Sequence, residues 1–408
     1  MLNLKQQAVL DLVSNHKNIF ITGFAGSGKS FLLSSICEKF IIAKKKFALT
    51  AMTGCASVLI DGITLHSFMG IGLAKESPEE LIEKIKSRGL LKKLQNLEVL
   101  IIDEVSMLSD VLFDKIAEIF KIIQTHSMPF GNVQIILVGD MSQLKPVDHT
   151  YCFNARYWGV LDIQVTVLTE NMRVRDDPVF EKLLSGIRKG KITTSDFNLL
   201  KSLENTTFPE HIHPTKLRSL NKDVDHINQY HLNKLIQSGN EIQIYKIQYN
   251  PCKLKESKAY TNQSKISECI KLCIGAQVMV TRNIDFENKI INGTQGIITH
   301  LNDEGVTLKL LNSELYFISY FNINPDDNKS IDFKYIPLIL SWAISIHKSQ
   351  GATISALEID LGESVFACGQ AYVAISRARN KESVKILNLS KKSIKTSKEV
   401  LKFYEKYT

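Results

Sequence analysis

The feature that most constrains the fold is the segment Gly23 to Ser30, GFAGSGKS, set between the apolar run Asn18 to Thr22 and the helix-forming run Phe31 to Ile42. It fits G-x-x-x-x-G-K-[ST], and a strand before it with a helix after it is the context a phosphate loop requires. Glycines let the backbone turn tightly, so that successive N–H groups face an anion at a helix N-terminus. On this reading Gly23, Gly26, Ser27, Gly28 and Lys29 cradle the phosphates of ATP, Lys29 neutralises the β and γ oxygens, and Ser30 offers a hydroxyl to Mg²⁺.

Two further strands point to the same chemistry. The apolar run Val99 to Ile102 ends in Asp103-Glu104, which suits a metal-bound nucleotide: Asp103 to hold Mg²⁺ directly or through water, Glu104 to polarise the attacking water. Val133 to Val138 runs into Gly139-Asp140-Met141-Ser142-Gln143, which sets Gln143 to contact the γ-phosphate and whatever the protein moves upon.

At 408 residues and 46.0 kDa, with 44% hydrophobic content, the chain is long enough for two or three compact domains built without disulfides. Its seven cysteines are odd in number, and Cys269 with Cys273 lacks the second pair or histidine that zinc would need. Reduced structural thiols are expected. No run approaches the ~18 apolar residues of a membrane helix, and the start MLNLKQQAVL reads as neither signal nor transit peptide. The expectation is a cytoplasmic protein of bacterial or viral type that does not use a membrane. A formal charge of +8 suits a polyanionic partner, although Lys-rich faces such as Lys44 to Lys46 and Lys391 to Lys398 give the same total.

Apolar strands alternate with helical patterns through the first 170 residues: Asn18 to Thr22, Phe47 to Thr50, Val99 to Ile102, Val133 to Val138 and Val165 to Leu168. That rhythm predicts an α/β fold with a parallel sheet covered on both faces. The polar stretch Lys75 to Gln95 reads as a small helical insertion outside the sheet. Helices near Asp177 to Arg188 and Asp223 to Leu235 and a strand at Thr215 to Leu220 continue the pattern. From about Ile242 to Ile331 short β runs take over, with Asn292-Gly293 as a turn signal, which predicts a small β-barrel inserted in a second α/β lobe. The lobe resumes with Ile336 to Ala343, Leu357 to Leu361, a helix Gly369 to Ala378 and a strand Val384 to Leu387.

The motifs together resemble the Pif-type DNA helicases, in the RecD-like 5′-to-3′ branch (1B) of helicase superfamily one. The resemblance rests on the phosphate loop and on MPFGNVQIILVGDMSQLKPV (Met128 to Val147), GAQVMVTRNI with INGTQG (Gly275 to Gly296), WAISIHKSQGATI (Trp342 to Ile354) and CGQAYVAISRAR (Cys368 to Arg379). It implies two RecA-like lobes: residues 1–170 as lobe 1A with a wedge insertion 1B at about 69–96, residues 171–241 and 332–408 as lobe 2A, and residues 242–331 as an inserted SH3-like domain 2B.

Carried over by position, Gln6 in LKQQAVL resembles the glutamine that reads the adenine edge, with Gln7 as its neighbour. Arg173 in TENMR and Arg377 in ISRAR resemble two second-lobe arginines that approach the γ-phosphate. A single-stranded DNA track is implied at Thr53-Gly54, at His66 and Phe68, at His347-Lys348 and at Gly351 with Thr353, with Phe68 stacking on bases. The family pattern is broken in SQLKPV, where Ser142 replaces an apolar or aromatic residue and Lys145 a proline, so Lys145 receives no DNA role.

The resemblance thus implies an ATP- and Mg²⁺-dependent motor on single-stranded and tailed duplex DNA, serving replication, repair, recombination or telomere maintenance. It would act as a monomer or DNA-induced dimer, beside single-strand-binding or replication proteins. The rival readings are an ATP-gated DNA-binding module that does not unwind, and the motor subunit of a RecD-like nuclease complex. The last phosphate-binding motif ends near residue 380, so long terminal extensions with roles of their own are not expected.

Overall fold

The computed structural model describes residues 2–146, 149–174, 176–208, 213–264, 266–285, 287–323, 331–362 and 365–407; Val147, at the end of one segment that carries the resemblance, lies outside them. The chain forms two compact units, Met1–Arg175 with Thr396–Thr408, and Asp176–Lys395. Among the described residues no helix is long and apolar enough to cross a membrane.

The first unit is built on β1 (Ile19–Gly23), β2 (Phe47–Ala51), β3 (Ile63–Thr64), β4 (Val99–Asp103), β5 (Gln134–Gly139) and β6 (Gln164–Leu168). They form one six-stranded sheet in the order β3-β2-β4-β5-β1-β6, parallel throughout. The central strands are buried along nearly their whole length, as expected for a parallel sheet covered on both faces. Strand alternation sorts their side chains between two cores. Ile19, Ile21, Val99, Ile101, Ile136 and Val138 pack with helices Leu4–Ser14 and Lys29–Ile42 on one face. On the other, Phe20, Leu100, Ile102, Ile135 and Leu137 pack with the helix Asp110–Ile123.

The polar insertion forms helices Pro78–Ser87 and Leu91–Gln95, the first opened by a capping box between Ser77 and Glu80. It lies outside the sheet, yet Leu81, Ile82, Ile85 and Leu94 belong to the first unit's core. Its inner face is therefore structural.

Two boundaries differ from expectation. Residues 171–175 group with the first unit, because Met172 N–H donates to the Gly26 carbonyl at 2.9 Å. Residues 396–408 also return to it. There the helix Lys398–Tyr404 buries Val400, Phe403 and Tyr404, with the Phe403 ring stacked on Phe153 at 4.4 Å between centres and tilted against Phe20 at 6.1 Å.

In the second unit β7 (Thr215–Arg218) is followed by β8 (Ile242–Lys246), β9 (Gln248–Tyr249), β10 (Cys269–Cys273), β11 (Gln277–Val280), β12 (Gln295–Asn302), β13 (Gly305–Leu310), β14 (Leu315–Ser319), β15 (Phe321–Ile323), β16 (Phe333–Tyr335), β17 (Leu338–Leu340), β18 (Ala343–Ser345), β19 (Leu357–Asp360) and β20 (Val384–Leu387). A four-stranded parallel sheet, β18-β7-β19-β20, is interrupted by a five-stranded antiparallel sheet, β14-β13-β12-β11-β17, and smaller β ribbons. The expected strand Ile336 to Ala343 is not continuous. Leu338–Leu340 pairs with β11 in the inserted sheet, and the parallel sheet regains the chain only at Ala343. The β-rich insertion thus extends beyond Ile331, and the apolar run is shared between two sheets.

Candidate nucleotide and nucleic-acid site

The phosphate loop leaves β1 at Gly23 and enters the helix Lys29–Ile42 through Gly28, a left-handed N-cap. Gly26, at φ +85°, is held by close approach as well: a Cβ there would lie 2.5 Å from the Arg173 Cβ and 2.9 Å from the Asn171 Oδ1. The Lys29 ammonium lies over the loop, donating to the Gly23 carbonyl at 2.9 Å and the Phe24 carbonyl at 2.8 Å, with the Ser27 hydroxyl at 3.4 Å. Ser30 is exposed in the helix's first turn.

Gln6 is buried and Gln7 exposed, which separates the two candidates for reading a base. The Gln6 carbonyl closes a capping box with Asn3, while its amide nitrogen abuts Gly28, 3.0 Å from where a Cβ would stand.

The strands β4, β5 and β1 are adjacent, so the loops leaving them emerge side by side. Asp103 ends β4, and Glu104 N–H donates to its carboxylate at 2.8 Å. Burial pushes the Asp103 carboxyl well above its usual range and the Glu104 charge adds to the rise, while that amide and the Lys29 charge oppose it. Glu104 itself adopts a left-handed backbone at φ 53° and ψ 43°, a strained conformation for a residue with a side chain. After β5, Gln143 is buried and its N–H closes a turn on the Asp140 carbonyl at 3.0 Å.

The two arginines lie in different units. Arg173, expected in the second lobe, groups with the first: its backbone N–H donates to the Asn171 side-chain Oδ1 at 3.1 Å beside Gly26. Arg377 is buried in the second unit, its guanidinium donating to the carbonyls of Val373 at 2.8 Å and Ser349 at 3.3 Å and to the Ser376 hydroxyl at 2.9 Å.

Among the residues expected to meet DNA, Thr53 caps the short helix Gly54–Leu59 by accepting from Ala56 N–H at 3.2 Å. His66 is half-buried, and that burial holds its imidazole below the usual range. Phe68 requires correction. It is 3% exposed within the first unit's core, with the Lys93 ammonium 4.5 Å from its ring centre, so it is a packing residue and not a base-stacking platform. In the second unit His347, Lys348 and Gly351 are exposed and Thr353 is half-buried. That segment lies against the inserted β domain: a Cβ on Gly293, at φ +97°, would stand 2.2 Å from the Thr353 carbonyl oxygen.

The sequence profile of the PIF1-like helicases matches residues 1–198, and that of the DNA helicase Pif1 2B domain matches residues 262–301. The ATP-dependent DNA helicase Pif1 of Bdellovibrio bacteriovorus is 32% identical over 100% of this chain and 92% of its own length. The chain belongs to the PIF1-like helicase family. The zebrafish ATP-dependent DNA helicase PIF1 is 35% identical over 99% of this chain, which spans 64% of that relative's length. The crystal structure of the Bacteroides Pif1 helicase in complex with ADP-AlF3 and ssDNA superposes with a TM-score of 0.69 at 28% identity, covering 100% of this chain and 97% of that one.

Three residues of this PIF1-like chain escaped the sequence reading. Asn171 accepts from both Arg173 and Val174 N–H groups beside the phosphate loop, and lies inside TENMR. Gln295, within INGTQG, is buried and binds Thr215, Ser355 and Ala356. Tyr404 reaches the first unit's strand ends from a segment with no motif at all.

Proposed function

We propose that this chain is an ATP-dependent DNA helicase that moves 5′ to 3′ along single-stranded DNA and unwinds tailed or structured duplex. The reading is carried by the convergence of Lys29, Asp103, Glu104 and Gln143 on loops leaving three adjacent strands of one parallel sheet. Phosphoryl transfer depends on placement and charge stabilisation more than on covalent help, and these groups supply both. Lys29 and the first-turn amides hold the phosphates, Glu104 orients and deprotonates the attacking water, and Gln143 senses the terminal phosphate. Arg173 and Arg377, as planar permanent cations, offset charge that develops on the transferring group.

The Gly26 bend and the amides of the following helix fit a triphosphate, and Ser30 with Asp103 offers the hydroxyl and carboxylate oxygens that Mg²⁺ prefers. When bound there, Mg²⁺ would neutralise phosphate charge.

Single-stranded DNA is the partner we infer, by extension from the Bacteroides relative. Thr53, Gly54, His66, His347, Lys348, Gly351 and Thr353 are its proposed contacts, with Phe68 removed from that set. The β-rich domain is proposed to be SH3-like and to guide the strand, and the Lys75 to Gln95 element to part the duplex. The chain would work as a monomer or as a pair assembled on DNA.

ATP hydrolysis with and without single-stranded DNA tests this reading. DNA should stimulate the wild type, while Glu104→Gln should bind ATP without turning it over. Hydrolysis indifferent to DNA, or normal turnover by Glu104→Gln, would overturn it.

A further inference from the structure

The helix Lys398–Tyr404 has seven residues, too few to persist without tertiary packing. Its packing delivers one hydroxyl to the strand ends of the first unit. The Tyr404 hydroxyl accepts from Met141 N–H at 3.0 Å and lies 2.6 Å from the Thr22 hydroxyl and 3.2 Å from the Asp140 Oδ1, to which it donates. Thr22 and Asp140 are both fully buried.

Each partner leads directly to a residue of the proposed nucleotide site. Thr22 precedes Gly23, whose carbonyl holds Lys29. Asp140 accepts Ser142 N–H on the same Oδ1 at 3.0 Å, and its carbonyl accepts Gln143 N–H at 3.0 Å. Between the two strands the backbone register pairs Thr22 with Gly139, so the hydroxyl adds a tie just past the last rung of that ladder.

We propose that Tyr404 is a positioning residue for nucleotide hydrolysis, its hydroxyl fixing the Asp140–Gln143 loop in register with the strand end that leads to Lys29. The assignment rests on the ATPase reading given above. The helix that brings Tyr404 here follows the point, after Lys395, at which the chain leaves the second unit. A hydroxyl supplied from that crossing thus helps to hold the loop that carries Gln143.

Tyr404→Phe keeps the ring and its packing and removes only the hydroxyl. Turnover of DNA-stimulated ATP hydrolysis, normalised to titrated nucleotide-binding sites, should fall about five- to tenfold, as expected for the loss of a buried hydrogen bond, with the KM for ATP within about twofold of wild type. Because Tyr404 acts through Gln143, the same change made in Gln143→Ala should produce no further fall. Thr22→Val, which removes the hydroxyl partner from the other side, should lower turnover in the same sense.

Wild-type turnover in Tyr404→Phe would overturn the assignment. So would a full multiplicative loss in the double variant, which marks an independent structural effect. Wild-type turnover in Gln143→Ala would instead indict the nucleotide-site reading, and the positioning role with it.

Discussion

In the six-stranded sheet of the first unit, the nucleotide residues sit at strand ends or in the loops that leave them: Gly23 closes β1, Asp103 closes β4, and Gln143 follows β5. In the four-stranded sheet of the second unit, Gly351 and Thr353 lie in the long connection between β18 and β19. They are held from the inserted β domain, by the close approach of Gly293 and by the amide of Gln295, which donates to the Thr215 hydroxyl and Ala356 carbonyl and accepts from Ser355 and Ala356 N–H groups. A strand aims its neighbours by local covalent geometry, whereas a loop must be tied from outside. Changes of the side chains at the first unit's strand ends, such as Lys29 and Glu104, should therefore remove chemistry and leave the fold, whereas changes at the second unit's ties should move backbone.

The largest expected effect lies in the first unit. Lys29→Ala should lower ATP turnover by about a thousandfold, the scale for losing a preorganised group that stabilises transition-state charge, and leave the melting temperature close to wild type. A steady-state ATPase assay beside a thermal melt checks both halves. Loss of turnover only in step with loss of fold would erase the contrast between the units.

Phe68→Ala sharpens the corrected assignment. Removing a core phenylalanine should cost about 3–5 kcal/mol of stability, while Phe68→Leu should keep single-stranded DNA affinity within about twofold. A selective loss of DNA binding in a fully stable Phe68→Leu protein would restore the stacking role.

The sequence made the first unit's site legible because a phosphate loop, an acidic strand end and a glutamine after a strand are each local in the chain. It missed the ties of the second unit for the opposite reason. Gln295 meets Thr215 across 80 residues and Ala356 across 61, and no periodicity or spacing encodes such a meeting. Tyr404 meets Thr22 across 382 residues and was invisible on the same ground. Phe68 was misread because its motif context suggested a DNA contact, while its burial depends on Lys93 and on core residues supplied elsewhere in the chain. The run Ile336 to Ala343 looked like one buried strand, since hydrophobicity does not reveal which of two sheets claims each half.

Gly293→Ala and Gln295→Ala come next in size. The first adds a Cβ against the Thr353 backbone at a left-handed position; the second strips partners from buried amides and a carbonyl. Each should cost about 1–3 kcal/mol and weaken single-stranded DNA binding, with ATP affinity retained. Fluorescence anisotropy with labelled DNA, set beside nucleotide titration, separates the two. Equal losses in both would contradict the division of labour.

The smallest effect is a pH dependence. Burial lowers the His66 value below that of the unfolded chain, near 6.5, so the unfolded state takes up the proton first. The stability gained by keeping His66 neutral is full above that value and is lost as pH falls through it toward the folded value. Melting curves from about pH 7.5 to 5.5 should show a decline that His66→Gln makes shallower. An identical slope in the variant would remove His66 as its source.

The central claim is tested most directly by strand separation on duplexes that differ only in which strand carries a single-stranded tail. With ATP and Mg²⁺, a duplex with a 5′ tail should be unwound, whereas a blunt duplex and one with only a 3′ tail should stay paired, and Lys29→Ala should unwind none. Preferential unwinding from the 3′ tail would contradict the proposed direction, and tight DNA binding without unwinding of any substrate would contradict the motor itself.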